Sequence, residues 1–504
     1  MRSAGILLHP TSLPGRFGIG DLGPGAESFL QWAEAAGITL WQVLPLGPTG
    51  FGNSPYGCLS SFAGNPNLIS PERLLEEGFL PPGESLDVWT SASGVIDFGP
   101  AIEWKQHLLR RCFGHFQQQG TTEQRRDFDA FNAHKLQAGW LDHWALFMAL
   151  KAQHGDADWS TWPEPFLSAE GAASASISAE LVVEVTFHKF LQFLFFRQWE
   201  RVRDIARNRG IRVMGDVPIY VAYDSADVWS NAALFLLDEK RKPLAVAGVP
   251  PDYFSSEGQR WGNPLYRWDR MAEDGYRWWI ARTRANLRLT DVVRLDHFRG
   301  FAGFWQIPAG EESAAGGHWV KGPGLALFAA IRKALGDLPI VAEDLGLITP
   351  DVDQLRDAIG VAGMKVLQFG FGDLDNIHLP HRFVTNTVVY TGTHDNDTTC
   401  GWFASLTEKE RTLVLDYTGD ESGEQIHWKM MRLAFNSVAE LAIVPMQDVL
   451  GLGSKARMNT PGRSDGNWQW RALAEDFSDV SALRLRRLIE ISGRLQLSSS
   501  IRSG

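Results

Sequence analysis

The sequence predicts an α/β protein, a (β/α)8 (TIM) barrel carrying large inserted subdomains. Three observations point there: eight short apolar runs, helical periods between them, and acidic residues where several runs stop. The runs are Gly5–Leu8, Leu40–Leu46, Ile211–Pro218, Val292–Phe298, Pro339–Leu345, Met364–Gly370, Thr387–Asp395 and Leu441–Met446. Each reads as a buried parallel strand, apolar on both faces and ended by polar or small residues. An open doubly wound sheet is the alternative, but no GxGxxG follows an early strand.

The connections support helices. Phe29, Trp32, Ala33 and Ala36 repeat at helical spacing, and Gly37 supplies a C-terminal stop. Phe187 to Arg209 is strongly helical and closed by Gly210; His427 to Glu440 leads into the eighth run. Thr349-Pro350 reads as N-cap and first helical residue, and Gly360 as the end. The spacing is uneven. The stretches after strands two and three exceed any simple helical connection, which places insertions at about 47–210 and 219–291 of one catalytic barrel unit spanning 1–504. Within the first, Ser70-Pro71 opens a short helix that Gly78 closes, and 123–154 reads as helical. Insertions on βα loops overhang the catalytic face, where they can wall a groove. No C-terminal β-sandwich is expected, and Ser498 to Gly504 reads as a disordered tail.

Composition excludes several classes. The chain has 504 residues and a formal net charge of −11, which argues against a nucleic-acid footprint. No apolar run is long enough to span a membrane. The three cysteines, Cys58, Cys112 and Cys400, are odd in number and far apart, so a reducing, cytoplasmic setting is expected rather than a disulfide framework. Patterned sequence begins by residue 4, so no signal peptide is expected. No metal is expected: HExxH, CxxC and dense oxygen-ligand loops are all missing. The 20 tryptophans are mostly core by default, although indole faces also stack on sugar rings.

The chemistry sits at the strand ends. Asp296 follows strand four in RLDH, Glu343 and Asp344 follow strand five in AED, and Asp395 follows strand seven in THDN. In a barrel these ends converge on the active face. Two carboxylates in one cleft allow divided roles, one ionised as nucleophile and one raised in pKa as acid and base. A retaining glycosidase needs them about 5–5.5 Å apart, and neighbouring strands lie roughly 4.8 Å apart. That favours a pair from strands four and five. Arg294 lies two residues before Asp296, so both point to one side, and its guanidinium would keep Asp296 ionised. Each carboxylate alone could be a helix cap or surface ion pair. Pleat alternation leaves open whether Glu343 or Asp344 faces inward.

At these residues the chain resembles the 4-alpha-glucanotransferases of the amylomaltase (disproportionating enzyme) family, within the α-amylase-like glycosidases. The matching stretches are HPTSLPGRFGIGDLG (9–23), WQVLPLGPTGFGNSPYG (41–57), GDVPIYVAYDSADVWSN (215–231), AGVPPDYFSSEGQRWGNPLY (247–266), RLDHFRGF (294–301), AEDLG (342–346) and GTHDNDTTCGW (392–402). They span nearly the whole chain in family order. The resemblance implies Asp296 as nucleophile, Glu343 as general acid/base and Asp395 as transition-state stabiliser. It implies Arg294, His394 and Asp216 around the donor sugar, Ser54 and Tyr56 as glucan contacts, and Gln259 and Trp261 on a mobile loop over the acceptor side. Asn467 in NWQW is a further implied contact. It also implies α-1,4-glucans and maltooligosaccharides as partners; no cofactor is expected.

Bland alternatives accompany several of these. Tyr56 can be a packed turn residue, Trp261 can be covered by Arg260, and Cys400 reads as a small core residue. His297 reads equally as barrel wall or site. Gly258 and Gly262 flank Trp261 and would let that loop move. A plain α-glucan hydrolase with the same carboxylates, and a catalytically silent glycan-binding protein, are the rival functions.

Overall fold

The computed structural model describes residues 2–81, 83–84, 86, 94–175, 178–251, 257–419 and 422–496. The segment read as a tail, 498–504, lies outside the described residues.

Eight parallel strands form the barrel: β1 (Ser3–Leu7), β2 (Leu40–Gln42), β3 (Arg212–Val217), β4 (Val292–Leu295), β5 (Ile340–Ala342), β6 (Gly363–Val366), β7 (Thr387–Tyr390) and β8 (Leu441–Pro445). Each pairs with its neighbour in chain order, and β8 returns to β1 with Leu7 opposite Pro445. The ring closes between β5 and β6 through a single bridge, Val341 to Ala362. A side chain completes that seam. The Asp344 carboxylate accepts from the Met364 N–H at 2.6 Å and from Arg356 Nη1 at 2.7 Å. It occupies the space a side chain at Gly363 would need, since a Cβ there would lie 2.3 Å from Asp344 Oδ2.

All eight apolar runs are strands, but several end earlier than the sequence suggests. The run at 387–395 leaves the ladder after Tyr390, and the run at 40–46 after Gln42. Beyond those points side chains replace the ladder. Asp448 is 1% exposed and accepts from the hydroxyls of Thr391 and Thr399 at 2.6 and 2.7 Å, and from the Thr399 N–H at 2.7 Å. Those bonds tie down both ends of the loop that holds His394 and Asp395.

The helices follow their signals with shifted bounds. Pro24–Ala35 ends at Gly37, whose φ is 78°, and Pro350–Ile359 ends at Gly360, φ 72°. The long helix before β3 begins at Ala179, not Phe187, because the Ser178 hydroxyl caps it by accepting from the Leu181 N–H. The 123–154 stretch is two helices, Thr122–Ala133 and Leu141–Gln153.

A four-stranded antiparallel sheet overhangs the barrel, in the order Gln259–Pro264, Ala245–Val249, Gly303–Pro308, His318–Lys321. Its first two strands arise between β3 and β4. The other two arise between β4 and β5, a contribution the strand spacing did not suggest. After β8 the described residues form helices and loops and add no further strand beyond a lone bridge, Val95 to Trp470. Among the described residues most of the tryptophans are core, and Trp261 and Trp319 are the indoles left exposed.

At the other end of the barrel Arg494 is fully buried. Its guanidinium donates to the carbonyls of Ser3 (3.0 Å), Phe435 (2.7 Å) and Ala439 (2.8 Å), among others, knitting β1 to the segment before β8. Replacing Arg494 by leucine strands these carbonyls, at about 1–3 kcal/mol for each buried group left unmade. The variant is expected to unfold at lower temperature and lower urea, read by circular dichroism, with turnover by the folded protein unchanged at low temperature.

Candidate active site

The site begins as a register. Asp216 on β3 sits directly across the ladder from Arg294 on β4, so their side chains share a face. Arg294 Nη1 donates to both oxygens of Asp216, at 2.8 and 2.7 Å, and to Asp296 Oδ1 at 2.9 Å. Asp296 lies one residue past β4 and Glu343 one past β5, where Leu295 faces Ala342. The backbone continues that pairing. The Glu343 N–H donates to the Leu295 carbonyl, and the Phe298 N–H to the Glu343 carbonyl, both at 3.0 Å. Asp296 and Glu343 therefore stand side by side at adjacent strand ends.

Their surroundings differ. Asp296 receives the Arg294 guanidinium. The Glu343 carboxyl accepts N–H bonds from His297 (2.7 Å) and Leu345 (3.1 Å). Burial pushes Glu343 well above the usual carboxylate range; the Asp296 charge adds to this, while Arg294 opposes it. Asp344 points the other way, into the β5–β6 seam with Arg356. The inward carboxylate of this pair is Glu343.

Opposite them lies the β7 loop. Asp395 Oδ1 accepts from the Asn459 amide at 2.6 Å and lies 3.3 Å from His394 Nε2. Tyr56 stacks on His394 with ring centroids 4.9 Å apart and 17° between planes. Its hydroxyl donates to Asp216 Oδ2 at 2.8 Å, which joins the first insertion to the arginine cluster. Burial, with the Asp216 charge second, raises the phenol far above its ordinary pKa. Tyr56 is thus no mere turn residue. Burial likewise raises Asp216.

Trp261 stands on the edge strand of the overhanging sheet, 38% exposed, with its ring edge-on to His297 at 4.8 Å. Its indole N–H donates to Gln259 Oε1 at 3.1 Å. Arg260 does not cover it; that guanidinium reaches the Ala309 carbonyl at 3.2 Å. His297 has φ 50°, so the chain leaves the pleat there and the ring turns towards Trp261. Burial pushes the imidazole down to about 4, so it is neutral at pH 7.

Two of the expected contacts turn to their own loops. Asn467 accepts from the Thr460 N–H at 2.8 Å and donates to the Arg463 carbonyl at 2.9 Å, bracing the 460–467 loop. The Ser54 hydroxyl accepts from the Tyr56 N–H at 3.2 Å, shaping the turn that presents Tyr56.

Several neighbours escaped the sequence reading. They are Asn459, Arg457, which donates to the Asp395 carbonyl at 2.6 Å, and Trp468, whose ring leans on Tyr56 and His394 at 6.0 Å. His9 at the end of β1 is another: burial, with the His394 charge second, pushes its imidazole down to about 3. The ARMN and NWQW stretches carry no period, so only their density of polar and aromatic residues hinted at a role. Among the described residues no group of three or more His, Cys, Asp or Glu side chains is arranged to hold a metal ion.

A (β/α)8 barrel that gathers carboxylates, a buried arginine and an aromatic overhang at its strand ends has the architecture of a glycan-active enzyme. Comparison narrows this to one family. The model of the 4-alpha-glucanotransferase family, glycoside hydrolase family 77, matches residues 8–475, and the chain belongs to that family. It is 48% identical to the 4-alpha-glucanotransferase of Thermus thermophilus over 98% of this chain and 99% of that one. It is 50% identical to that of Synechocystis sp. over 98% of each. Among solved structures, the amylomaltase of Streptococcus agalactiae in complex with acarbose superposes with a TM-score of 0.94 at 36% identity, covering 98% of this chain and 100% of that one.

Asn459 fixes the Asp395 carboxylate without belonging to its loop. Asn459→Ala is expected to lower kcat by up to about 100-fold, the cost of a small misplacement. KM should change much less, and thermal stability should stay near that of the parent. Steady-state kinetics with maltotriose check this, and an unchanged kcat refutes the positioning.

Proposed function

We propose that the chain moves a segment of an α-1,4-glucan onto the 4-hydroxyl of another glucan or of glucose by a retaining double displacement. The observation that carries this is the unequal treatment of two adjacent carboxylates. Arg294 sits on Asp296, whereas burial raises the Glu343 carboxyl well above the usual carboxylate range. Asp296 is the nucleophile and Glu343 the general acid and base. Glu343 gives its proton to the glycosidic oxygen as Asp296 attacks the anomeric carbon; the leaving fragment departs as an alcohol and a covalent glucosyl-enzyme forms. Glu343 then takes the proton from the acceptor 4-hydroxyl, which attacks the same carbon and frees Asp296.

Asp395 and His394 grip the donor sugar hydroxyls, with Tyr56, Arg294 and Asp216 beneath them. Trp261 and Gln259 cover the acceptor side. An indole there offers a sugar a stacking face and displaces water, which favours transfer over hydrolysis. Ser54 and Asn467 act through the turns they shape. Cytoplasmic residence is part of this proposal. It is supported by three cysteines that are all free and by the want, among the described residues, of a helix long and apolar enough to cross a membrane. A relative from Solanum tuberosum named as chloroplastic/amyloplastic shows that other family members occupy other compartments.

Incubation with maltotriose is expected to yield glucose and a ladder of longer maltooligosaccharides with constant total reducing ends. Rising reducing ends without longer products would make the protein a hydrolase, and glucan binding without turnover would make it a binding protein.

Glu343→Gln is expected to cost about 100- to 10,000-fold in kcat, the usual worth of a general acid/base. The loss should shrink for a donor whose leaving group needs no proton. Asp296→Asn should abolish any trapped glycosyl-enzyme, and an adduct on another residue would overturn the assignment.

The pH profile follows in sign. The first step needs protonated Glu343, and a raised pKa keeps that form present to higher pH, so kcat/KM should fall as pH rises through it. A falling limb at the ordinary Glu value of about 4.3 would exclude Glu343 as the acid.

A further inference from the structure

A second cavity, of about 300 Å3, opens outside the barrel, between the 134–140 turn and helix Arg277–Leu289. It shares no residue with the carboxylate cluster. Its walls hold an unusual density of unmet polar groups. Gln137 is 2% exposed, yet neither its amide oxygen nor its amide nitrogen has a partner among the described residues. The indole N–H of Trp278 and Nδ1 of His143, also in the wall, are buried without partners. Such groups are few in folded proteins, and four such atoms around one cavity mark a place where something else supplies the bonds.

The charge is equally one-sided. Arg277, Arg284 and Arg288 follow at helical spacing along one face, and Ala281 and Ala285 between them leave the floor open. Arg288 donates to Glu200 at 2.8 Å. Neither Arg277 nor Arg284, nor Lys135 across the opening, has a carboxylate partner among the described residues. Asp274 at the rim accepts from the Arg277 backbone N–H at 3.2 Å. Asp227 in the wall accepts from the Ser61 N–H at 2.7 Å.

We propose that this cavity binds a monosaccharide phosphate. Unpaired arginines suit a phosphate. Phosphate alone does not suit the interior, because an anion carried past the arginines to the acceptor Gln137 Oε1 would be buried without a cation beside it. Sugar hydroxyls donate to that oxygen and accept from the Gln137 amide and the Trp278 indole. The volume lies at the small end of ligand cavities, near 300 Å3, which admits one ring and not a glucan chain.

Isothermal titration of the full-length protein with glucose 6-phosphate tests this, with glucose and inorganic phosphate as separate probes. Saturable binding of the phosphorylated sugar is expected, with each separate probe at least about tenfold weaker. Arg284→Ala and Gln137→Ala should each weaken it by about tenfold or more, with maltotriose disproportionation unchanged when no phosphosugar is present. Arg284 is exposed, so its variant keeps the test alive should Gln137→Ala fail to fold. The proposal is overturned by no saturable binding, by binding that survives Arg284→Ala, or by inorganic phosphate binding as tightly as the sugar phosphate. None of these outcomes bears on glucan transfer, which the maltotriose assay reads separately.

Discussion

The site hangs on one buried guanidinium. Arg294 and Asp216 lie opposite each other on β3 and β4, with side chains 4% and 0% exposed. Charges taken so far from water persist only when paired and hydrogen-bonded. The barrel register supplies that pairing, and everything nearby is then placed by it. Arg294 reaches forward to Asp296. Asp216 accepts the Tyr56 hydroxyl and so anchors an insertion that begins far away in sequence. Tyr56 in turn stacks on His394, next to Asp395. One ion pair thus relates four segments that no local interaction would bring together.

Around that anchor the loops are held by side chains and not by ladder bonds. Asp448 closes the β7 loop, Asp344 the β5–β6 seam, and Asn459 fixes Asp395. Asp448 and Asp344 accept the backbone N–H groups of Thr399 and Met364, which the ladder does not pair. This is how a barrel ends its strands at a reactive rim without leaving buried donors unmet. It also explains why neighbouring acids differ so much: Asp344 and Asp448 are structural, whereas Asp296 and Glu343 face the cleft.

Much of this was legible beforehand, for definite reasons. Fully buried parallel strands are unbroken apolar runs, so all eight showed in the sequence, and the acids at their ends showed with them. The strand ends did not, because the apolar character of 43–46 continues after the ladder has stopped, and the small residues at 391–393 give no sharp stop. The overhanging sheet's second pair, Gly303–Pro308 and His318–Lys321, hid in what read as a connection to β5. Pleat alternation held at Arg294 and Asp296 but left His297 divided between barrel wall and site, because its left-handed backbone breaks the alternation. Asn459, Arg457 and Trp468 lie in aperiodic loops, where contact is a tertiary matter. Asn467 and Ser54 were singled out by motif, yet their side chains serve the loop and the turn.

The seam between β1 and β8 governs the order in which the molecule can assemble. Residues 3–7 are made before their outer ladder partner, residues 441–445, and before the guanidinium at 494 that ties them down. Until those later segments are made, the first strand exposes one unpaired, largely apolar edge, a surface prone to wrong pairing. Early segments must wait for late ones, so the barrel closes at this seam only once residues 441–494 have been made.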